Sequence, residues 1–217
     1  MTDFANRRST MVDTQVRPSD VTKFPIIDAM LRVPREAFVP ADKRELAYVG
    51  EHVELGGDRV VLDPRTLAKM LEVANIQNEE TVLDIGAGLG YSSALAAQIA
   101  DAVIALEDSA DRVADAENAL AEAGVDNVAV MEGALAEGVA KSGPYDVILI
   151  QGGVQHVPEA LTAQVKDSGR IVAIFMDGAL GSVRVGHAID GAISWRFAFN
   201  ATAPLLPGFE AEQAFVL

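Results

Sequence analysis

The 217-residue chain contains no cysteine. That absence removes disulfides, thiolate metal sites, iron–sulfur clusters and a cysteine nucleophile together, so the fold must rest on packing. Positive charge is scarce as well: 17 Lys and Arg stand against 32 Asp and Glu, a net charge of −15. With no basic run to override it, the long-range field repels polyanions, and nucleic acid is not an expected partner. His52, His156 and His187 are scattered, without the H-x-x-x-H spacing of a zinc site, and no metal is expected. Long hydrophobic runs are also missing. IVAIFM at 171–176 falls far short of the ~20 residues that span a bilayer. The polar first 18 residues lack the apolar core, about 7–15 residues, of a signal peptide. A soluble cytoplasmic protein is therefore expected, without a membrane partner. Half of the residues are hydrophobic, and a chain of this size can bury roughly 70% of its unfolded surface, enough for an ordinary single core.

What is present falls into two textures. Up to about residue 76, prolines at 18, 25, 34, 40 and 64 cut the chain into pieces too short to form a core alone. Ile26, Ile27, Met30 and Leu31 recur at helical spacing behind Pro25. Asp63 can cap a second helix that has Pro64 in its first position and Leu67, Met70 and Leu71 on one face. Residues 58–62 read as a short strand. From about residue 78, short aliphatic strands at 81–85, 102–107, 128–131, 146–150 and 170–175 alternate with helices at 91–100 and 109–123. This is the rhythm of parallel βαβ units covered on both faces. Ser109 suits the cap of the second of these helices and Gly124 its exit. After residue 180 a period of two, in SVRVGHAI and ISWRFAF, predicts antiparallel edge strands, with Trp195 in the core.

The chemistry concentrates in VLDIGAGLGYSSA at 82–94, where a strand ends at Asp84 and runs through Gly86, Gly88 and Gly90 into a helix. Glycines allow the sharp turn and let backbone N–H groups approach a ligand. The G-x-G-x-G spacing differs from a dinucleotide fingerprint, and the preceding acid suits a cationic amino group better than a pyrophosphate. Glu107 follows at the end of the next strand, where a carboxylate accepts paired ribose hydroxyls. An amino group and a ribose together point to S-adenosylmethionine. Gln151 and the Gly152–Gly153 pair are expected to shape the rim after the fourth strand, and His156 lies beside them. Ser92 and Ser93 are not in a G-x-S-x-G elbow, which removes support for a hydrolase.

VPREAFVP at 33–40, DIGAGLGYSSA, the strand IALE ending at Glu107, NVAVMEGALAEG at 127–138 and PYDVILIQGGVQHVPEALTAQVKDSGRIV at 144–172 resemble the protein-L-isoaspartate O-methyltransferases, with APLLPG at 203–208 matching more loosely. The resemblance implies a doubly wound α/β fold with a seven-stranded Rossmann-like methyltransferase sheet and a helical N-terminal extension. Residues 1–76 would contribute to the substrate cleft, and 77–217 would form the S-adenosylmethionine-binding domain. It also implies methyl transfer from S-adenosylmethionine to isoaspartyl carboxylates of damaged proteins or peptides, with Asp84, Gly86, Gly88, Gly90, Glu107, Gly133, Ala134 and Gln151 at the cofactor. Besides a glutamine that the family carries just after the fifth strand and that residues 175–182 lack, two positions depart from the family pattern. The family's active-site serine is Leu62 here, beside Asp63, which is either a catalytic candidate or a pure helix cap. The family's adenine-facing aspartate is Ala134. A same-fold enzyme with another substrate and a catalytically silent cofactor-binding module are the alternatives.

Overall fold

The structure, a computed structural model, describes residues 3–211. Chain order gives α1 (Phe4–Met11), α2 (Phe24–Arg32), a hairpin of β1 (Val53–Gly56) and β2 (Arg59–Val61), α3 (Pro64–Ala74), β3 (Thr81–Ile85), α4 (Tyr91–Ala97), β4 (Ala102–Glu107), α5 (Ala110–Glu122), β5 (Val128–Glu132), β6 (Tyr145–Val154), α6 (Glu159–Thr162), β7 (Val165–Asp177), β8 (Leu180–Ile189) and β9 (Ala192–Asn200). The helix starts follow local chemistry. Asp63 accepts a hydrogen bond from the Thr66 N–H at 2.9 Å, Pro64 opens α3, and Ser109 caps α5. Gly124 leaves α5 at φ +70°, a conformation that costs glycine no steric penalty.

Strands β3 to β9 form one sheet in the order β5-β4-β3-β6-β7-β8-β9, parallel from β5 to β7 and antiparallel beyond. This is the seven-stranded, doubly wound sheet that the resemblance implies. Alternation along the strands divides the core between its two faces. Val82, Val103, Val147, Leu149 and Val172 pack with the N-terminal helices on one side, and Leu83, Leu106, Ile148, Ile150 and Ile171 pack with Leu206 and Phe209 on the other. The first cluster runs from Met11 to Ala203, so apolar packing is continuous across residue 76.

Several expectations need correction. Only β9 is an edge strand at that end of the sheet, because β8 pairs on both sides. Trp195 is half-buried and packs edge-on against Phe175, with ring centres 4.8 Å apart. The strand expected over 58–62 covers Arg59–Val61, because Asp58 sits at φ +57° in the turn after Gly57. Its partner β1 carries no clear alternation in the sequence.

Candidate active site

The strand order reverses at β3: the chain moves outward through β4 and β5, then returns to place β6 on the other side of β3. Open α/β sheets bind ligands at the carboxyl ends of the strands at such a reversal. Asp84 of β3 and Gln151 of β6 stand at this point. Asp84 is fully buried, and both of its oxygens are occupied: the Ser92 and Ser93 hydroxyls donate to Oδ2, and Gln151 Nε2 donates to Oδ1 at 2.8 Å. Burial pushes its carboxyl above the ordinary aspartate value, the three donors pull it back, and the Glu107 charge adds to the rise. The sequence reading aims this acid at a ligand's amino group; here its oxygens are taken by the chain's own donors. In this arrangement Asp84 ties β3 to α4 and β6. Its polar partners, Ser92 and Ser93, lie in the same DIGAGLGYSSA stretch.

Gly86, Gly88 and Gly90 adopt φ of +74°, +61° and +92°, as a sharp strand-to-helix turn requires. The space they leave is taken by the protein itself. A Cβ on Gly86 would stand 3.1 Å from Arg59 Nη2 and 3.3 Å from Leu206 Cδ1, and one on Gly88 would stand 2.5 Å from Leu55 Cδ1. Gly90 faces the Leu120 side chain of α5. Gly152 faces Leu206 in the same way, with 2.5 Å to Cγ, and the Gly153 N–H donates to the Pro204 carbonyl at 2.7 Å. The close approach foreseen at the Gly152–Gly153 rim is thus made by the APLLPG segment. Gly133 donates its N–H to the Glu107 carbonyl at 2.9 Å, and Ala134 is exposed. The His156 side chain is exposed too.

Glu107 carries the most consequential difference from the sequence reading. Instead of facing open space, its carboxylate is 0% exposed, and Oε1 accepts from both the Gly88 N–H and Arg59 Nη2. Arg59 is 2% exposed, and its other terminal nitrogen lies 3.3 Å from Asp108 Oδ2. Asp108 in turn pairs with Arg112 at 2.7 Å, and Arg112 reaches the Gly56 carbonyl. Sequence reasoning gave Arg59 no role. Its signal is a lone cation inside the short apolar run RVVL, which must find a carboxylate if it is buried.

The space beside the loop is correspondingly small. Lined by Val60, Val61, Leu62, Leu67, Gly86, Tyr91 and Gln151, it measures about 10 Å³, roughly enough for one water, whereas small-molecule sites need about 300 Å³ or more. The donor set suits a nucleoside. The arrangement does not: Arg59, Leu55 and Leu206 fill the room it would need. A cavity of about 880 Å³ opens elsewhere, at the β7–β8 turn between Gln155, Met176, Leu180 and Asn200, and no glycine of the loop lines it.

Leu62 is 1% exposed, and its carbonyl accepts from Arg35 Nη2 at 2.8 Å. Arg35, completely buried, also donates Nε–H to the Ala47 carbonyl at 2.6 Å and lies 4.9 Å over the Tyr91 ring. Burial pulls its guanidinium below the ordinary arginine value. Asp63 caps α3, the helix-cap alternative of the sequence reading, and its backbone N–H donates to His52 Nδ1 at 2.9 Å. That leaves the His52 Nε2–H for the Thr202 carbonyl at 2.8 Å, so His52 ties the hairpin's entry to the C-terminal segment. His52 and Arg35 are positioning residues that sequence spacing did not reveal.

Among the described residues no helix is long and apolar enough to cross a membrane, and no group of three or more acidic or histidine side chains could hold a metal ion. Of the solved structures, a protein-L-isoaspartate O-methyltransferase superposes with a TM-score of 0.80 at 23% identity over 93% of the chain, which spans 66% of that structure's length. A Plasmodium falciparum structure, described as a protein-L-isoaspartate O-methyltransferase in complex with S-adenosyl-L-homocysteine, gives 0.78 at 16% identity, with 95% of this chain and 99% of that one covered. Among curated relatives, protein-L-isoaspartate O-methyltransferase 1 of Rhodopseudomonas palustris is 37% identical over 79% of this chain and 70% of its own length. The Koribacter versatilis enzyme is 36% identical over 79% and 78%. The profile of protein-L-isoaspartate(D-aspartate) O-methyltransferase matches residues 6–180. A sheet of this topology, a glycine loop at its reversal point, and relatives of this identity agree on one lineage: the chain belongs to the protein-L-isoaspartate O-methyltransferase family, enzymes dependent on S-adenosylmethionine.

Proposed function

We propose that this chain is a cytoplasmic carboxyl methyltransferase that uses S-adenosylmethionine and acts on isoaspartyl residues of proteins or peptides. Residues 77–217 carry the nucleoside site, built from Asp84, Gly86, Gly88, Gly90, Glu107, Gly133, Ala134 and Gln151, and residues 1–76 wall the substrate side. The observation that carries this reading is the glycine loop at the sheet's reversal point, with Asp84 near the end of β3 and Glu107 at the end of β4, in a chain that belongs to this family.

The chemistry asks little of the missing serine. An isoaspartyl carboxylate is ionised at neutral pH and is its own nucleophile, so transfer needs no general base. Leu62 in place of a hydroxyl removes an orienting contact, not a proton acceptor. Orientation alone is worth up to roughly 7–11 kcal/mol of barrier in well-aligned reactions. The same departures, Leu62 and the exposed Ala134, favour a second reading: a member of the fold with another substrate or without transfer activity.

One assay separates these readings. An isoaspartyl peptide should take up a labelled methyl group while its aspartyl twin does not. Uptake by both or by neither would overturn isoaspartyl specificity, and uptake by neither would leave the second reading.

A further inference from the structure

We infer that the β1–β2 hairpin is a latch on the nucleoside pocket, with Arg59 occupying the carboxylate of Glu107 in place of a ribose. This rests on the proposal that the chain uses S-adenosylmethionine, and it adds a closed state that the nucleoside must open. Two contacts of the hairpin support it, and a third, from the C-terminal segment, narrows the same space. Arg59 of β2 and Glu107 of β4 form an ion pair buried on both sides, with side chains 2% and 0% exposed. Leu55 of β1 fills the space over Gly88, and Leu206 of the C-terminal segment fills the space over Gly86 and Gly152. The Glu107 oxygen that Arg59 takes also receives the Gly88 N–H, while among the described residues the other accepts only the Asp108 N–H at 3.3 Å. A pair of ribose hydroxyls therefore meets a carboxylate whose best acceptor site is already doubly occupied.

The hairpin is anchored at its base by buried Val53 and Val61 and projects its tip into solvent. Its turn at Gly56, Gly57 and Asp58 is exposed, with all three residues at positive φ. Beyond the Arg59–Glu107 pair, its polar ties to the rest of the domain include the Arg59–Asp108 contact, the Arg112 bond to the Gly56 carbonyl at 3.4 Å and the Lys43 Nζ bond to the Glu54 carbonyl at 2.9 Å. Outward rotation returns Arg59 to water and exposes Glu107 to the ligand. The apparent dissociation constant of the nucleoside is its intrinsic value divided by the fraction of open molecules. Weakening the latch must therefore tighten binding, the opposite of what loss of a ligand-contacting arginine does.

The test is calorimetry with S-adenosylhomocysteine on the whole protein, as wild type, Arg59→Gln and Arg59→Lys. Arg59→Gln should bind at least ~10-fold more tightly than wild type, as expected when the closed state dominates, and Arg59→Lys, which keeps the charge, should stay near wild type. Equal or weaker binding by Arg59→Gln, with measurable binding by wild type, overturns the latch and leaves the cofactor proposal standing. Binding by none of the three overturns both. Limited trypsinolysis of wild type gives a second reading that does not depend on the variant folding: saturating S-adenosylhomocysteine should accelerate cleavage after Arg59. Unchanged or slower cleavage there, with the ligand shown to bind, refutes displacement of Arg59.

Discussion

Replacing Arg59 with Met isolates the energetic consequence of the ion pair. Its partner Glu107 is 0% exposed and Arg59 is 2% exposed, so the single change leaves a buried carboxylate without its cation. Removing one member of a buried pair costs about 3–5 kcal/mol, largely as the penalty on the charge left behind. Two donors remain on Glu107, the N–H groups of Gly88 and Asp108, and the hairpin can open to let water in, so the lower end of that range applies if opening is cheap. For a chain of this length, 1 kcal/mol corresponds to roughly 2–4 °C in melting temperature, which makes the expected loss about 6–20 °C. Replacing Glu107 with Gln as well removes the stranded charge, and the double variant should recover at least half of the single-variant loss. Urea and thermal melts of the wild type, both single variants and the double variant complete the cycle. A single-variant loss below about 1 kcal/mol with no coupling would equal the value of an exposed pair and would refute burial of Arg59 against Glu107.

Asp84 gives a pH prediction with a definite sign. Its folded value is raised by burial, so its contribution to stability is fully present below its unfolded value near pH 4 and is lost as pH rises through the folded value. The stability of wild type minus that of Asp84→Asn should therefore fall with rising pH in urea titrations, and a difference that rises would contradict the buried placement. Asp63→Ala should cost about 1 kcal/mol, the value of an N-cap, read as a fall of a few degrees in melting temperature, with no change expected in the pH dependence set by Asp84.

Where local chemistry decides structure, the sequence is legible. Asp63 with Pro64, Ser109 and Gly124 mark their helix ends because caps act over three or four residues. The parallel strands β3, β4, β6 and β7 are legible because burial on both faces demands unbroken aliphatics, whereas β5, at the sheet edge, is largely exposed. The glycine loop also adopts the positive φ values its residues allow. What the loop packs against was not legible. Glu107 meets Arg59 across 48 residues, and Gly152 meets Leu206. Glycine's lack of a side chain permits close approach equally to a ligand or to the chain itself. The same ambiguity hides Asp84, whose charge suits either a cationic ligand or the buried hub of Ser92, Ser93 and Gln151 that it forms. Strand β7 also starts earlier than its apolar run: Val165–Asp177 includes KDSG, which reads as a turn, and Ser168 stands there at φ +66°.

Closure of the nucleoside site in the free protein is tested most directly by the hydrogen exchange of one backbone amide, that of Gly88, followed by NMR without ligand. The account predicts slow exchange in wild type, because this N–H donates to the buried Glu107 carboxylate beneath Arg59, and exchange at least ~100-fold faster in Arg59→Gln, the size of change that a few kcal/mol of easier opening produces. Free exchange of the Gly88 amide in the wild-type protein would contradict it, since a glycine loop open to water cannot have Glu107 sealed behind it.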